Sequence, residues 1–145
     1  MRAAGHQMNL YFLEETALHK QPIQILKTWI KSVNKRDIEG ILSLYDPNAI
    51  LIPTFSENIL NTPEKIRNYF EKLTLRKKLQ ITVHQKTIHI QSLQTDIAII
   101  SGIYCWKFLV EGELITFEAR FSFIVYLNKD MPIIHHHSSQ IPRMI

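Results

Sequence analysis

Between Leu114 and Leu127 the chain alternates: Ile115, Phe117, Ala119, Phe121, Phe123, Val125 and Leu127 fall on one side, and Thr116, Glu118, Arg120 and Ser122 on the other. A period of two held this long specifies a strand with one face in a core and one face toward water. Three further stretches read as strands: Gln80 to Gln91, Asp96 to Val110 and Met131 to Ser139. Turn residues at Leu93-Gln94-Thr95, Glu111-Gly112 and Asn128-Lys129-Asp130 join them, so the second half of the chain is predicted to be an antiparallel meander. Within it the apolar phase switches from Ile81 and Val83 to Ile88 and Ile90, and Gly102 interrupts an apolar run. Both are expected to mark bulges or bends that curve the sheet.

Upstream the period changes to that of helices. Ile23, Leu26, Ile30 and Val33, with Trp29 beside them, predict an amphipathic helix from Pro22 to about Lys35. Asp37 can cap a second helix carrying Ile38, Ile41, Leu42 and Tyr45, which Asp46-Pro47-Asn48 is expected to break. Ala49 to Ile52 reads as a short strand ending at Pro53-Thr54, and Thr62-Pro63 opens a third helix with Ile66, Tyr69, Phe70 and Leu73 on one stripe. The expected class is α+β: N-terminal helices packed on a strongly curved antiparallel sheet, forming a cone with a pocket at its open end. With 145 residues, 46% hydrophobic and 21% charged, one compact domain is expected. We assign it to residues 21–145 and read 1–20 as an N-terminal extension, in which Met8 is an alternative start.

The formal charge of +4 comes from scattered basic residues, and the one cluster, Arg76-Lys77-Lys78, falls at a helix C-terminus that favours cations, so no nucleic-acid partner is expected. A single Cys105 rules out an intramolecular disulfide and a cysteine zinc cluster, and it is expected to be a small core residue of a buried strand. No apolar run approaches membrane-spanning length, and Met1 to Lys20 lacks the basic-then-apolar order of a secretory signal. The expectation is a cytoplasmic protein with no membrane partner.

Chemistry concentrates near the C-terminus, in His135-His136-His137-Ser138-Ser139. Purification tags are usually terminal and longer, and the apolar lead-in Pro132-Ile133-Ile134 reads as strand, so we take the run as native. Strand alternation divides it: His135, His137 and Ser139 share one face, His136 and Ser138 the other. Two histidines at i and i+2 begin a zinc site without completing one, and His84 and His89 lie two strands away in sequence. Arg120, a charge in mid-strand, needs an anion, a carboxylate such as Glu118, or solvent. Thr54, Tyr69 and Ser138 supply hydroxyls that can hold water and a small oxyanion, with an imidazole as proton relay.

Five segments carry a resemblance. Leu51-Ile52-Pro53-Thr54-Phe55-Ser56, Tyr69-Phe70, Gly102-Ile103-Tyr104, Ala119-Arg120-Phe121-Ser122-Phe123 and His135-His136-His137-Ser138-Ser139-Gln140-Ile141-Pro142 resemble bacterial proteins related to the calcium/calmodulin-dependent protein kinase II association domain. The closing motif is similar to that of iota-class carbonic anhydrases, including metal-free members, with Ile141 where that motif has Met. The resemblance implies the nuclear transport factor 2-like (cystatin-like) cone and a homodimer or higher homo-oligomer. It implies an Arg120 that faces the pocket and favours the phase with His136 and Ser138 inward. It further implies that Thr54, Tyr69, His136 and Ser138 are catalytic, with Tyr104 a substitute for Tyr69 and a substrate contact beside Arg120. The activity implied is reversible hydration of carbon dioxide to bicarbonate, with no cofactor and no metal. A non-catalytic assembly or small-anion-binding module is the alternative. An oxidoreductase label, also met among relatives of this fold, finds no nucleotide fingerprint here.

Overall fold

The structure, a computed structural model, describes residues 21–144; the expected 1–20 extension and its Met8 start lie outside the described residues. Helix α1 runs Pro22–Asn34 with Pro at its first turn, and buries Ile25, Leu26, Trp29 and Val33, while Ile23 and Ile30 pack at the margin. Asn34 ties its end to the sheet, donating from Nδ2 to the Ile81 carbonyl at 2.9 Å and accepting from the Ile81 amide at 2.7 Å. Helix α2, Ile38–Leu42, is capped by Asp37, whose Oδ1 accepts from the Gly40 amide at 2.9 Å. Helix α3, Pro63–Thr74, is capped by Thr62 and buries Ile66, Phe70 and Leu73. Arg76, Lys77 and Lys78 follow its end directly, exposed, as the charge pattern predicted.

Six strands form one sheet in the order β1-β6-β5-β4-β2, with β3 also paired to β4: β1 Tyr45–Ile52, β2 Gln80–Val83, β3 His89–Gln94, β4 Ile97–Val110, β5 Glu113–Tyr126 and β6 Ile133–Gln140. Tyr45 therefore opens a strand and does not close a helix, and Asp46-Pro47-Asn48 lies within β1 at an irregularity in its pairing. The expected long strand from Gln80 is cut by a 3₁₀ turn at Gln85–Thr87, which is where the apolar phase switches. The following β3 is exposed throughout, Ile90 included, and its turn to β4 falls later, at Thr95-Asp96. Glu111 and Gly112 both take positive φ, 51° and 84°, as a two-residue hairpin turn requires.

Gly102 does not mark a bulge: the β4–β5 register runs unbroken through Gly102↔Phe121. A Cβ there would stand 3.0 Å from the Phe121 ring, so the residue is glycine to let that ring close on the backbone. Cys105 points to the outer face, half-buried between Thr82 and Glu118 partners, because β4 buries Tyr104, Trp106 and Phe108 on alternate positions. The remaining surprise is β1, which pairs β6 in parallel, with Leu51 opposite His136. The strand order places α1 and α3 against the concave face, with Trp29 at the centre of the core.

Candidate active site

Parallel pairing of β1 and β6 sends both strands out of the sheet at the same end. Thr54, two residues past β1, consequently meets Ser138 of β6, and their hydroxyls are hydrogen-bonded. An antiparallel edge would have put them at opposite ends of the cone. The chain past Thr54 turns back at Leu60, whose backbone pairs with Leu51, and this closed loop lays Phe55 over Trp106, Phe108 and Phe117.

His136 and Ser138 point inward, each with 2% of its surface exposed, while His135, His137 and Ser139 lie on the other face. The His136 ring stacks on Phe123 at 3.8 Å and meets the edge of Trp29 at 5.2 Å. Both its nitrogens are engaged: Tyr45 Oη lies 2.7 Å from Nδ1 and Tyr104 Oη 3.1 Å from Nε2. Behind Tyr45, Trp29 Nε1 donates to the same hydroxyl oxygen at 3.0 Å.

This arrangement assigns the protons. An indole N–H can only donate, so Tyr45 Oη accepts from Trp29 and must spend its own hydrogen on His136 Nδ1. Were Nδ1 the protonated nitrogen, the buried tyrosine hydrogen would have no acceptor, a loss of about 1–3 kcal/mol. His136 is thus the Nε2–H tautomer, donating to Tyr104, whose hydroxyl lies beside those of Ser138 and Thr54. From Trp29 to Tyr104 the three hydrogen bonds point the same way. One hydroxyl hydrogen of the Thr54–Ser138 pair joins the two, and the pair carries one further donor, which can turn to an oxyanion.

Burial, above all, holds the His136 pKa well below its ordinary value, and the neighbouring His135 and His137 press the same way. The role of proton shuttle expected for His136 therefore does not fit its surroundings: the ring is held neutral, both nitrogens are committed, and the path behind it ends on an indole. Its chemistry here is to orient Tyr104. Burial likewise raises Tyr104 and outweighs the opposing influence of the Ser138 and Thr54 hydroxyls, so its phenol stays protonated. Tyr69, the first-choice tyrosine of the sequence reading, accepts from the Phe55 amide at 3.3 Å, so it braces the loop; Tyr104, its substitute, is the one joined to His136.

Arg120 corrects a second expectation. It is exposed on the outer face, opposite Ile103 and Ser139, because its neighbours Ala119 and Phe121 hold the buried positions of β5. Glu118 on that face pairs with His84 at 3.3 Å. Among the described residues, no three His, Cys, Asp or Glu side chains come together in a metal-ligand set. Sequence reasoning missed Tyr45 and Trp29, which read as members of helical core stripes. It also gave no sign of Trp106, whose indole N–H is buried with no hydrogen-bond partner among the described residues.

Comparison with known proteins agrees with this architecture. The calcium/calmodulin-dependent protein kinase II association domain family matches residues 19–142. A Xanthomonas campestris protein named for that association domain superposes with a TM-score of 0.73 at 26% identity, covering 82% of this chain and 84% of its own. The S. rosetta CaMKII hub gives 0.69 at 16% identity, with 82% and 93% covered. A Streptomyces avermitilis protein named as a dehydratase of the NTF2-like family gives 0.68 at 13%, again with 82% and 93% covered. No curated protein matches. The curved sheet, the helices on its concave face and the family match over most of its length agree, and the chain belongs to the calcium/calmodulin-dependent protein kinase II association domain family, with the NTF2-like fold.

Proposed function

We propose that this domain hydrates carbon dioxide to bicarbonate at the Thr54–Ser138 hydroxyl pair, without a metal. The observation that carries the reading is the hydrogen-bonded Thr54–Ser138 pair beside Tyr104, which the one-way chain from Trp29 through Tyr45 and His136 holds in place. A water held there attacks the carbon of carbon dioxide while one of the two hydroxyls takes a proton from it and returns its own to a carbon dioxide oxygen. The product is carbonic acid, which ionises to bicarbonate on release, so no strong base is needed and a modest rate is expected. The donor end of the chain then faces the developing negative charge.

Stopped-flow hydration with and without a chelator tests this on three proteins. The wild type is expected to keep its rate in chelator, Ser138→Ala to lose at least about tenfold, and Arg120→Ala, altered on the outer face, to keep the wild-type rate. A rate abolished by chelator removes the metal-free mechanism, and no hydration above buffer removes the enzyme. The second reading, a homo-oligomeric assembly module, is favoured by family membership and by the likeness to a CaMKII hub. It predicts a stable homo-oligomer with no hydration.

A further inference from the structure

A groove of about 920 Å³ lies outside the Thr54–Ser138 cluster, between α3, the loop after Thr54 and Phe108 of β4. It is far larger than a three-atom substrate needs and falls within the size range of sites for organic molecules, about 300–1,000 Å³. Its charge is one-sided: Lys65, Lys72 and Arg76 line it, and no aspartate or glutamate does. Spacing explains the alignment, since positions 65, 69, 72 and 76 step by four, three and four and so follow one face along α3 and just beyond its end. The acids of this helix lie elsewhere; Glu71, for one, turns to Arg67. The rest of the lining is largely apolar, with the exposed Ile59 and Leu75 beside Phe55, Leu73 and Phe108, and the Arg76 guanidinium stands 5.3 Å over the Phe108 ring.

We infer that this groove binds an organic anion with an extended apolar body, such as an acyl or aryl carboxylate. The apolar lining takes the body and the lysines and Arg76 take the head. A second copy of the chain fits worse, because a two-fold contact through this surface would bring its cations toward the same cations of the partner. Neither Thr54 nor Ser138 lines the groove, and Tyr69, which does, is bonded to the Phe55 amide. The inference therefore does not depend on carbon dioxide hydration.

Calorimetry on the full chain, below micelle concentrations, tests it with dodecanoate, dodecyltrimethylammonium and inorganic phosphate. Dodecanoate is expected to bind one to one, at least about tenfold tighter than the cationic amphiphile, with phosphate alone giving no saturable heat. Lys72→Glu with Arg76→Glu, both exposed and away from the hydroxyl cluster, should weaken dodecanoate at least about tenfold, and raising salt should weaken the wild type. Amide shifts on adding dodecanoate to the wild type, mapped to α3 and Phe108, give the same answer should the double variant fold poorly. Equal affinity for both amphiphiles, unchanged binding in the variant, shifts elsewhere, or a variant whose altered oligomer mass reveals a subunit interface would overturn it.

Discussion

Replacing Tyr45 by Phe removes one oxygen atom and is expected to disturb the site out of proportion to that change. Among the described residues the hydroxyl alone joins Trp29 Nε1, 3.0 Å away, to His136 Nδ1, 2.7 Å away, by hydrogen bonds. Without it a buried indole donor and a buried imidazole acceptor both lose their partner, and each unpaired group costs about 1–3 kcal/mol. The change adds no volume and keeps the ring that packs on Phe70 and His136. The expected loss is about 2–6 kcal/mol, a large share of the roughly 5–15 kcal/mol that holds a domain together. In thermal unfolding this is a fall of about 6–24 °C, at about 3–4 °C per kcal/mol for a chain of this length. The same variant frees Nδ1 from a donor that dictates its state, so nitrogen-detected NMR of His136 should show Nε2–H alone in the wild type and a mixture in Tyr45→Phe. A wild-type His136 protonated at Nδ1, or a variant within about 0.5 kcal/mol of wild type, would refute the directional chain.

Stability should fall on mild acidification. His136 is held below its ordinary pKa near 6.5, so below that pH the unfolded chain takes up a proton that the folded chain refuses. Its contribution is complete above pH 6.5 and is lost as pH falls toward the folded value, at up to about 1.4 kcal/mol per pH unit, with partly buried His135 adding in the same direction. Urea titrations at pH 7.5, 6 and 5 check this, and equal stabilities at all three would sink it. Gly102→Ala puts a methyl 3.0 Å from Phe121 Cζ and 3.2 Å from Thr87 Oγ1, and is expected to cost about 1–3 kcal/mol despite the better strand propensity of Ala. Pairing it with Phe121→Leu should recover part of that loss; a neutral Gly102→Ala would mean the ring has room to move.

Much of the molecule is legible in the sequence because it depends on neighbours in the chain. The caps at Asp37 and Thr62, the α3 stripe, the turn at Glu111-Gly112 and the inward phase of β5 follow from local propensity and a period of two or three to four. The division of the histidine run also followed from the period of a strand, since neighbouring side chains cannot share a face. Which half faces inward did not. Period fixes a difference between faces, and only the placement of helices against one of them makes that face the core.

Arg120 shows the limit of carrying a role over by motif. Its outward direction is set by Ala119 and Phe121, which were already visible in the alternation of β5. Local pattern was the better guide there. For Tyr45 it was the poorer one, because i, i+3 and i+4 spacing from Ile38 to Leu42 extends by coincidence to a residue that the sheet recruits as strand.

The sequence alone determined the elements, the faces they present and the supply of hydroxyls and imidazoles. The tertiary structure decided which of these meet. Pairing between the first strand and the last spans most of the chain, and the choice of parallel over antiparallel leaves no trace in either segment's own pattern. Yet that choice brings Thr54 to Ser138 and sets Tyr45, from the start of β1, within reach of His136. Hydrogen-bond direction was likewise a property of the assembled group: only with Trp29, Tyr45, His136 and Tyr104 in one line does a donor at one end fix the proton at the other.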